Sequence, residues 1–170
     1  MIEIRRRRHC LTSAFPETQI TQAGGRKVDL DELLTTSDVI SLHIPLTPAT
    51  RHTINADAIA KMRPRSVLIN TARGGPIDEQ ALIDALRSGH LGGAGVDLLD
   101  AENVDMKDPL PHNRLPLDEI ENLIVTPHVA GQTSESLRNV GAAALTCIQQ
   151  ALAGDTPDHA LNTIAEPRIA

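Results

Sequence analysis

The segment Ser66-Val-Leu-Ile-Asn-Thr-Ala-Arg-Gly-Gly-Pro-Ile-Asp78 decides the fold that this sequence predicts. Residues 66–70 form a short apolar run of the kind that makes a buried strand, and Gly74-Gly75-Pro76 marks the turn that follows it. Arg73 stands between the run and the turn, where the glycines let the backbone bend tightly. A permanent cation at the end of a buried strand indicates either a binding role or a surface ion pair.

Helices and strands are predicted to alternate on both sides of this segment. Capping residues followed by apolar positions at helical spacing predict helices after Asp29, Asn55 and Asp78, and a long helix over about 133–153. Gly89 stands where a glycine commonly ends a helix. Short apolar runs predict further strands at 38–44, 93–98 and 123–126.

Short apolar strands that alternate with amphipathic helices are typical of parallel βαβ units. Near-continuous apolar strands favour a sheet that is covered on both faces. The sequence therefore predicts an α/β fold: an open, doubly wound parallel sheet of Rossmann-like type. Residues 1–27 are the least regular part, with a basic run at Arg5–Arg8 and a turn signal at Gly24-Gly25.

The composition excludes several classes of protein. The 170 residues are 41% hydrophobic and 22% charged, which is typical of a globular protein, and the core must be aliphatic because the chain has one Phe and no Trp or Tyr. The net charge of -6 and the lack of aromatic residues argue against a nucleic-acid partner. No apolar run approaches the roughly 18 residues of a membrane helix, so we expect no membrane partner and a cytoplasmic location.

The two cysteines do not predict a disulfide or a metal site. Cys10 and Cys147 are isolated in the sequence, without CxxC or Cys/His spacing. Buried thiols without a chemical role are the expectation for both.

Ligands of open α/β sheets bind beyond the carboxyl ends of the strands. Four predicted strand ends carry polar residues there: His43, Arg73, Asp97 with Glu102 five residues on, and His128. An arginine can bind a carboxylate with two hydrogen bonds, and a histidine paired with a carboxylate is suited to acid/base chemistry. The one arginine, the two carboxylates and the one histidine, His128, together indicate acid/base chemistry on an anionic substrate.

Each of these residues also has an ordinary structural interpretation. Arg73 could be a surface ion-pair partner, His128 a capping histidine and Asp97 a loop cap. Glu102 lies near Asp100 and Asp105, in what could be a solvated acidic face. Only the placement at successive strand ends favours the functional interpretation.

Four segments carry a resemblance to a known family. They are Leu42-His-Ile-Pro-Leu-Thr47, Ile69-Asn-Thr-Ala-Arg-Gly-Gly75, Gly92-Gly-Ala-Gly-Val-Asp97 and Val125-Thr-Pro-His-Val-Ala-Gly131. In order and spacing, from about Val28 to Asn162, they resemble the D-isomer-specific 2-hydroxyacid dehydrogenases. The resemblance implies an oxidoreductase that transfers a hydride between NAD(H) or NADP(H) and a 2-keto acid or D-2-hydroxy acid.

The resemblance also implies roles for individual residues. Arg73 would bind the substrate carboxylate and polarise the keto oxygen, His128 would donate the proton, and Glu102 would hold the imidazole charged and oriented. No metal is implied. The implied cofactor-binding residues are Ile44, Pro45, Thr71, Ala72, Arg73, Asp97, His128, Ala130 and Gly131.

The sequence departs from the family at two places. It has no GxGxxG loop after a first strand, and Gly92-Gly-Ala-Gly95 precedes a strand, so it is expected to be a turn. The resemblance then implies that residues 1–152 are the distal part of a nucleotide-binding domain, including the long helix, and that 153–170 return to the substrate domain. Asn103 follows Glu102 where the family usually has proline, which weakens the assignment of Glu102.

Cofactor choice, assembly and activity stay open at this point. Arg5–Arg8 fall near the position that reads the adenosine ribose, where basic residues would favour NADP, although a charge run is usually a solvated face. Members of the family commonly dimerise through this domain, so a homodimer is an expectation. The alternative function is an inactive truncated remnant or a nucleotide-sensing interaction module, against which the retained Arg73, Glu102 and His128 argue.

Overall fold

The computed structural model describes residues 8–11, 16–103 and 119–160. The chain divides into two compact units, Met1–His128 and Val129–Ala170. Segment 153–170 extends beyond the described residues, so its assignment to a substrate domain stays a prediction. No helix in the described ranges is both long enough and apolar enough to cross a membrane.

Strands and helices alternate along the first unit. In chain order they are β1 (Arg8–Cys10), α1 (Glu17–Gln22), β2 (Gly25–Lys27), α2 (Leu30–Thr36), β3 (Val39–Leu42), α3 (Ala56–Lys61), β4 (Val67–Asn70), α4 (Glu79–Arg87), β5 (Gly93–Val96) and β6 (Leu123–Val125). A short 3-10 helix, Asp100–Asn103, follows β5. The second unit contains α5 (Ser134–Ala153).

The main sheet has four parallel strands in the order β3-β4-β5-β6. Its register aligns the carboxyl ends: Asn70 pairs with Leu42 on one side and with Val96 on the other, and Val96 pairs with Val125. The residues that follow these four strands therefore emerge at the same edge of the sheet. Strands β1 and β2 form a separate parallel pair.

Side-chain caps fix where the helices begin, as the sequence predicts. The side chains of Asp29, Asn55 and Asp78 accept hydrogen bonds from backbone N–H groups three residues on, at 2.8, 3.0 and 3.2 Å. Each bond satisfies a donor that the first helical turn leaves without a partner. Gly89 follows α4 with φ of +73°, a left-handed conformation that glycine adopts without strain.

The core is aliphatic and lies on one face of the sheet. Helices α2 and α3, and α3 and α4, pack against each other, as expected when right-handed crossovers add β4 and β5 in one direction. Ile40, Leu42 and Leu68 are buried beneath these helices, whereas Val39 is 51% exposed. The apolar strands predicted a sheet covered on both faces. In the described residues, one face of the sheet is covered.

Residues 8–11 and 16–27 contain structure that the sequence did not predict. Strands β1 and β2 are three residues long, too short for an alternation of polar and apolar positions to be recognised. Helix α1 has six residues and buries one side chain, Ile20. The NADP prediction rests on Arg5–Arg8. Of these, Arg5, Arg6 and Arg7 lie outside the described residues, and Arg8 begins β1.

Candidate active site

Asn70, the last residue of β4, fixes the turn that carries Arg73. Its side chain is buried, with 1% of its surface exposed. Its Nδ2 donates to the Arg73 carbonyl oxygen at 2.6 Å, and its Oδ1 accepts from the Ala72 N–H at 3.1 Å. Because one amide supplies both the donor and the acceptor, the backbone of residues 70–73 has a defined shape.

The Arg73 side chain is exposed at this edge of the sheet. Its Nη1 donates to the carbonyl oxygen of the preceding residue, Ala72, at 2.6 Å. A surface contact of this kind contributes little to stability. The guanidinium can therefore exchange it for a ligand at small cost.

Gly74 lies against the backbone that follows β5. A Cβ atom at this position would lie 2.2 Å from the carbonyl carbon of Leu99 and 2.4 Å from the Asp100 nitrogen. Only glycine allows this approach, which joins the turn after β4 to the turn after β5.

Glu102 lies in the 3-10 helix beyond β5, and its side chain is 12% exposed. Its Oε1 accepts a hydrogen bond from the Leu99 N–H at 2.9 Å. Its Oε2 lies 2.7 Å from His128 Nδ1. The glutamate thus closes its own turn with one oxygen and holds the histidine with the other.

The His128 backbone is held in an uncommon conformation. Its φ of +55° is left-handed, which costs a non-glycine residue about 1–2 kcal/mol. Its N–H donates to the carbonyl oxygens of Asp97 and Thr126 at 2.8 and 3.0 Å. The bond to Asp97 fastens the end of β6 to the end of β5 and brings the ring to Glu102, and the bond to Thr126 closes the turn after β6.

Asp97 directly follows β5 and is 3% exposed. The hydroxyl of Thr126 donates to its Oδ1 at 2.5 Å, and its own N–H donates to the Asn70 carbonyl oxygen at 2.9 Å. The carboxylate is therefore a buried acceptor fixed between β4 and β6.

Glu79, in the first turn of α4, contacts the same turn from the other side. Its Oε1 accepts a hydrogen bond from the Asp100 N–H at 2.6 Å. Burial raises the pKa of Glu79 above its ordinary value, the Asp100 N–H opposes that shift, and the negative charges of Asp100, Asp78 and Glu102 add to it. Arg51 holds the Asp100 carboxylate with both terminal nitrogens, at 3.2 and 2.6 Å.

The sequence did not predict roles for Asn70, Glu79, Arg51 or Thr126. Asn70 and Thr126 carried a usable signal, since each is a polar residue at the carboxyl end of an apolar strand. Glu79 resembles an ordinary acidic residue at a helix N-terminus, where a negative charge interacts favourably with the helix dipole. The contact between Arg51 and Asp100 joins residues 49 positions apart and leaves no local pattern.

The remaining predicted cofactor-binding residues lie in three places. Ile44 and Pro45 follow β3, where the Pro45 carbonyl oxygen accepts from the Thr50 hydroxyl at 2.7 Å. Thr71 and Ala72 follow β4, exposed and half-buried respectively. Ala130 and Gly131 belong to the second unit, in the exposed segment before α5. The first four residues share the sheet edge with Asp97.

The described residues contain no cluster of three His, Cys, Asp or Glu side chains that could hold a metal ion. Cys10 and Cys147 are both free thiols of intermediate burial.

Comparisons with known proteins identify the family. Residues 9–130 match the model of the D-isomer specific 2-hydroxyacid dehydrogenase, NAD binding domain. The chain is 44% identical over 128 residues to a hydroxypyruvate reductase of Thermotoga maritima, covering 75% of this chain and 39% of that protein. It is 49% identical over 111 residues to a glycerate dehydrogenase of Methylorubrum extorquens, covering 65% of this chain and 34% of that protein.

A solved structure of the same family has a similar fold. The D-lactate dehydrogenase of Aquifex aeolicus, complexed with NAD and lactic acid, superposes with a TM-score of 0.73 at 34% identity. The match covers 86% of this chain and 46% of that one. The chain thus spans between a third and a half of the length of these relatives. Because the matching family model covers the whole four-stranded sheet with Arg73, Glu102 and His128, the chain belongs to the D-isomer specific 2-hydroxyacid dehydrogenases.

Proposed function

We propose that this chain takes part in hydride transfer between NAD(H) and a 2-keto acid or D-2-hydroxy acid, with His128 as the acid/base group. The observation that carries the proposal is the 2.7 Å contact between His128 Nδ1 and Glu102 Oε2 at the carboxyl edge of the sheet. A carboxylate in this position accepts a hydrogen bond from Nδ1 and so fixes the orientation of the ring. Such a pair suits a proton donor better than a structural histidine.

His128 holds the proton that the reaction moves. Glu102 engages Nδ1, so the proton passes to or from the substrate through Nε2. In the direction of reduction, C2 of the keto acid gains a hydride and its oxygen gains this proton. The product is the hydroxy acid, and the imidazole is left neutral.

Arg73 binds the carboxylate of the substrate. Its guanidinium can donate two parallel hydrogen bonds to a carboxylate, which orients the acid as well as attracting it. Adjacent strands lie about 4.8 Å apart, so the ends of β4 and β6 are about 10 Å apart. A small acid held by Arg73 after β4 would then lie within reach of His128 after β6.

The residues present fit the nicotinamide end of the cofactor. Asp97 is a buried carboxylate whose oxygens accept more than one hydrogen bond, which suits the N–H donors of a carboxamide. Ile44, Pro45, Thr71 and Ala72 would line the rest of the sheet edge, with Ala130 and Gly131 after His128. The bound dinucleotide would supply the hydride. The family and the NAD-complexed relative support NAD, and NADP stays the alternative.

The first experiment tests binding and turnover separately. The purified chain is titrated with NADH and with NADPH by calorimetry, and oxidation of each is followed at 340 nm with glyoxylate or hydroxypyruvate. We expect turnover that is lost in His128→Ala and Arg73→Ala and retained in Arg63→Ala. Arg63 is a matched control because it is an exposed arginine at the other end of β4, before the strand begins, where it forms an ion pair with Asp38. Absence of both cofactor binding and turnover would contradict the proposal and favour the non-enzymatic alternative.

Assembly as a homodimer and a cytoplasmic location complete the proposal. Helix α5 exposes apolar side chains, among them Leu137, Val140 and Ile148 at 56–66%, which supports self-association. Light scattering over a range of protein concentrations measures the mass. A monomer at every concentration would remove the dimer from the proposal, and imaging of a tagged chain in its host tests the location.

A further inference from the structure

The turn after β5 presents two consecutive backbone N–H groups to two different carboxylates. The Leu99 N–H donates to Glu102 at 2.9 Å, and the Asp100 N–H donates to Glu79 at 2.6 Å. The first bond lies within the turn, whereas the second joins the turn to α4. Beside the buried side chain of Leu99, which packs in the core with α4, Glu79 therefore forms a hydrogen-bonded connection between the turn carrying Glu102 and the helical layer.

The other contacts of this turn hold different atoms. Arg51 holds the side chain of Asp100, and Gly74 packs against the backbone at Leu99. Neither contact offers an acceptor to the Asp100 N–H. A donor in such a half-buried place is costly to leave without a partner, at about 1–3 kcal/mol, so the acceptor atom of Glu79 decides whether the turn keeps its shape.

The surroundings of Glu79 do not favour an ionised side chain. It lines a small, mainly apolar pocket together with Leu82, Leu98 and Leu99. Three further carboxylates, those of Asp78, Asp100 and Glu102, act on it electrostatically. A residue placed for its charge alone would lie beside a cation, whereas Glu79 contacts a backbone donor.

We propose that Glu79 is a positioning residue: by accepting the Asp100 N–H it fixes the turn that delivers Glu102 to His128. The function lies in the acceptor atom at the end of a side chain of this length. The negative charge is not required. The inference rests on the proposed acid/base role of His128 for its catalytic consequence, but its structural consequence can be measured without turnover.

Two conservative variants of the full chain separate reach from charge. Glu79→Gln keeps an oxygen at the same distance and removes the charge. Glu79→Asp keeps the charge and retracts the acceptor by about one C–C bond, roughly 1.5 Å. Both residues are tolerated in a first helical turn, and circular dichroism checks that both variants fold. Glu135→Asp, the same substitution in the first turn of α5, is the matched control.

The main readout is the state of the His128 ring nitrogens, measured by long-range ¹H–¹⁵N correlations from the carbon-bound ring protons. We expect Glu79→Gln and Glu135→Asp to reproduce the wild-type spectrum. Glu79→Asp should shift the His128 signals toward those of Glu102→Ala, in which the partner of Nδ1 is removed. An unchanged spectrum in Glu79→Asp, or an equal shift in Glu79→Gln, would overturn the inference.

Kinetics distinguish this inference from the proposed function. In an active wild type, Glu79→Asp should lower kcat about 10- to 100-fold with little change in KM, and Glu79→Gln should stay near wild type. If the wild type shows no turnover while the spectral contrast holds, the positioning role stands and hydride transfer by this chain fails. If the wild type is active and the contrast is absent, only the positioning role fails.

Discussion

The Glu102–His128 pair and Arg73 share one edge of the sheet, yet they are held in different ways. His128 has a fixed backbone, with two hydrogen bonds to its N–H, and a ring that contacts a nearly buried carboxylate. Arg73 has a fixed backbone only, since its guanidinium is exposed and contacts its own chain. The proposed proton-transfer group is thus organised before any ligand binds, whereas the proposed anion-binding group would become organised with the ligand.

The largest effect is expected from His128→Asn. Asparagine tolerates the left-handed backbone of this position better than alanine, so the substitution removes the ring with little strain. We expect kcat to fall by about 10²–10⁴-fold, while NADH affinity measured by calorimetry stays within about threefold. A kcat near that of wild type would mean that another group donates the proton. The comparison of His128 with Arg73 would then no longer describe two catalytic groups.

Arg73→Lys tests the proposed anion-binding group, whose guanidinium is exposed. Lysine keeps the charge but cannot donate two parallel hydrogen bonds. A loss of about 1.5–3 kcal/mol of binding raises the KM for the keto acid by about 10- to 100-fold. Because the hydrogen bond that this side chain makes within the described part of the chain is to the neighbouring Ala72 carbonyl oxygen, the free energy of unfolding should change by less than about 0.5 kcal/mol. A marked loss of stability would contradict the description of Arg73 as organised by ligand.

Asn70→Asp tests whether the Arg73 backbone is held as firmly as we infer. The carboxylate can still accept from Ala72 but cannot donate to the Arg73 carbonyl oxygen, so a half-buried acceptor loses its partner, at a cost of about 1–3 kcal/mol. Urea unfolding measures the loss. Asn122→Asp is the control, because within the described ranges the contacts of that amide are long, at 3.4 and 3.5 Å. Equal losses in the two variants would remove the special role of Asn70.

The sequence predicted more of the fold than of the site. Helix starts at Asp29, Asn55 and Asp78 were correct because a cap is a local signal, decided by one side chain and the three residues after it. Arg73, Glu102 and His128 were selected by strand-end position and by resemblance. Glu79 was missed because its importance arises from a contact with Asp100, 21 residues away, and no pattern within α4 records that contact.

Gly74→Ala tests the contact that joins the two differently organised turns. An added methyl group would lie 2.2 Å from the carbonyl carbon of Leu99, so the turn after β5 must move, at a cost of about 1–3 kcal/mol. Gly141→Ala in α5 is the opposite case, since nothing lies within 4 Å of the added atom. It should stabilise the chain by about 0.5–1 kcal/mol. Thermal unfolding of both variants tests the opposed signs.

The smallest expected effect is a pH dependence of the free energy of unfolding, caused by Glu79 beside the turn that carries Glu102. The pKa of Glu79 is raised from 4.5, mainly by burial, so between 4.5 and the raised value the folded chain keeps a proton that the unfolded chain has lost. Fewer protons are then bound in the unfolded state, and the free energy of unfolding falls as pH rises through this window. In the Glu79→Gln variant the side chain cannot ionise, so its free energy of unfolding lacks this fall.

The difference in unfolding free energy between wild type and Glu79→Gln, measured by urea titration at successive pH values, should therefore decrease above pH 4.5 and then level off. An increase over the same range would mean that the Asp100 N–H outweighs burial and that the charge itself stabilises the turn. The turn that carries Glu102 would then depend on an ionised Glu79. The charge of Glu79, and not the length of its side chain, would be the property that holds Glu102 against His128.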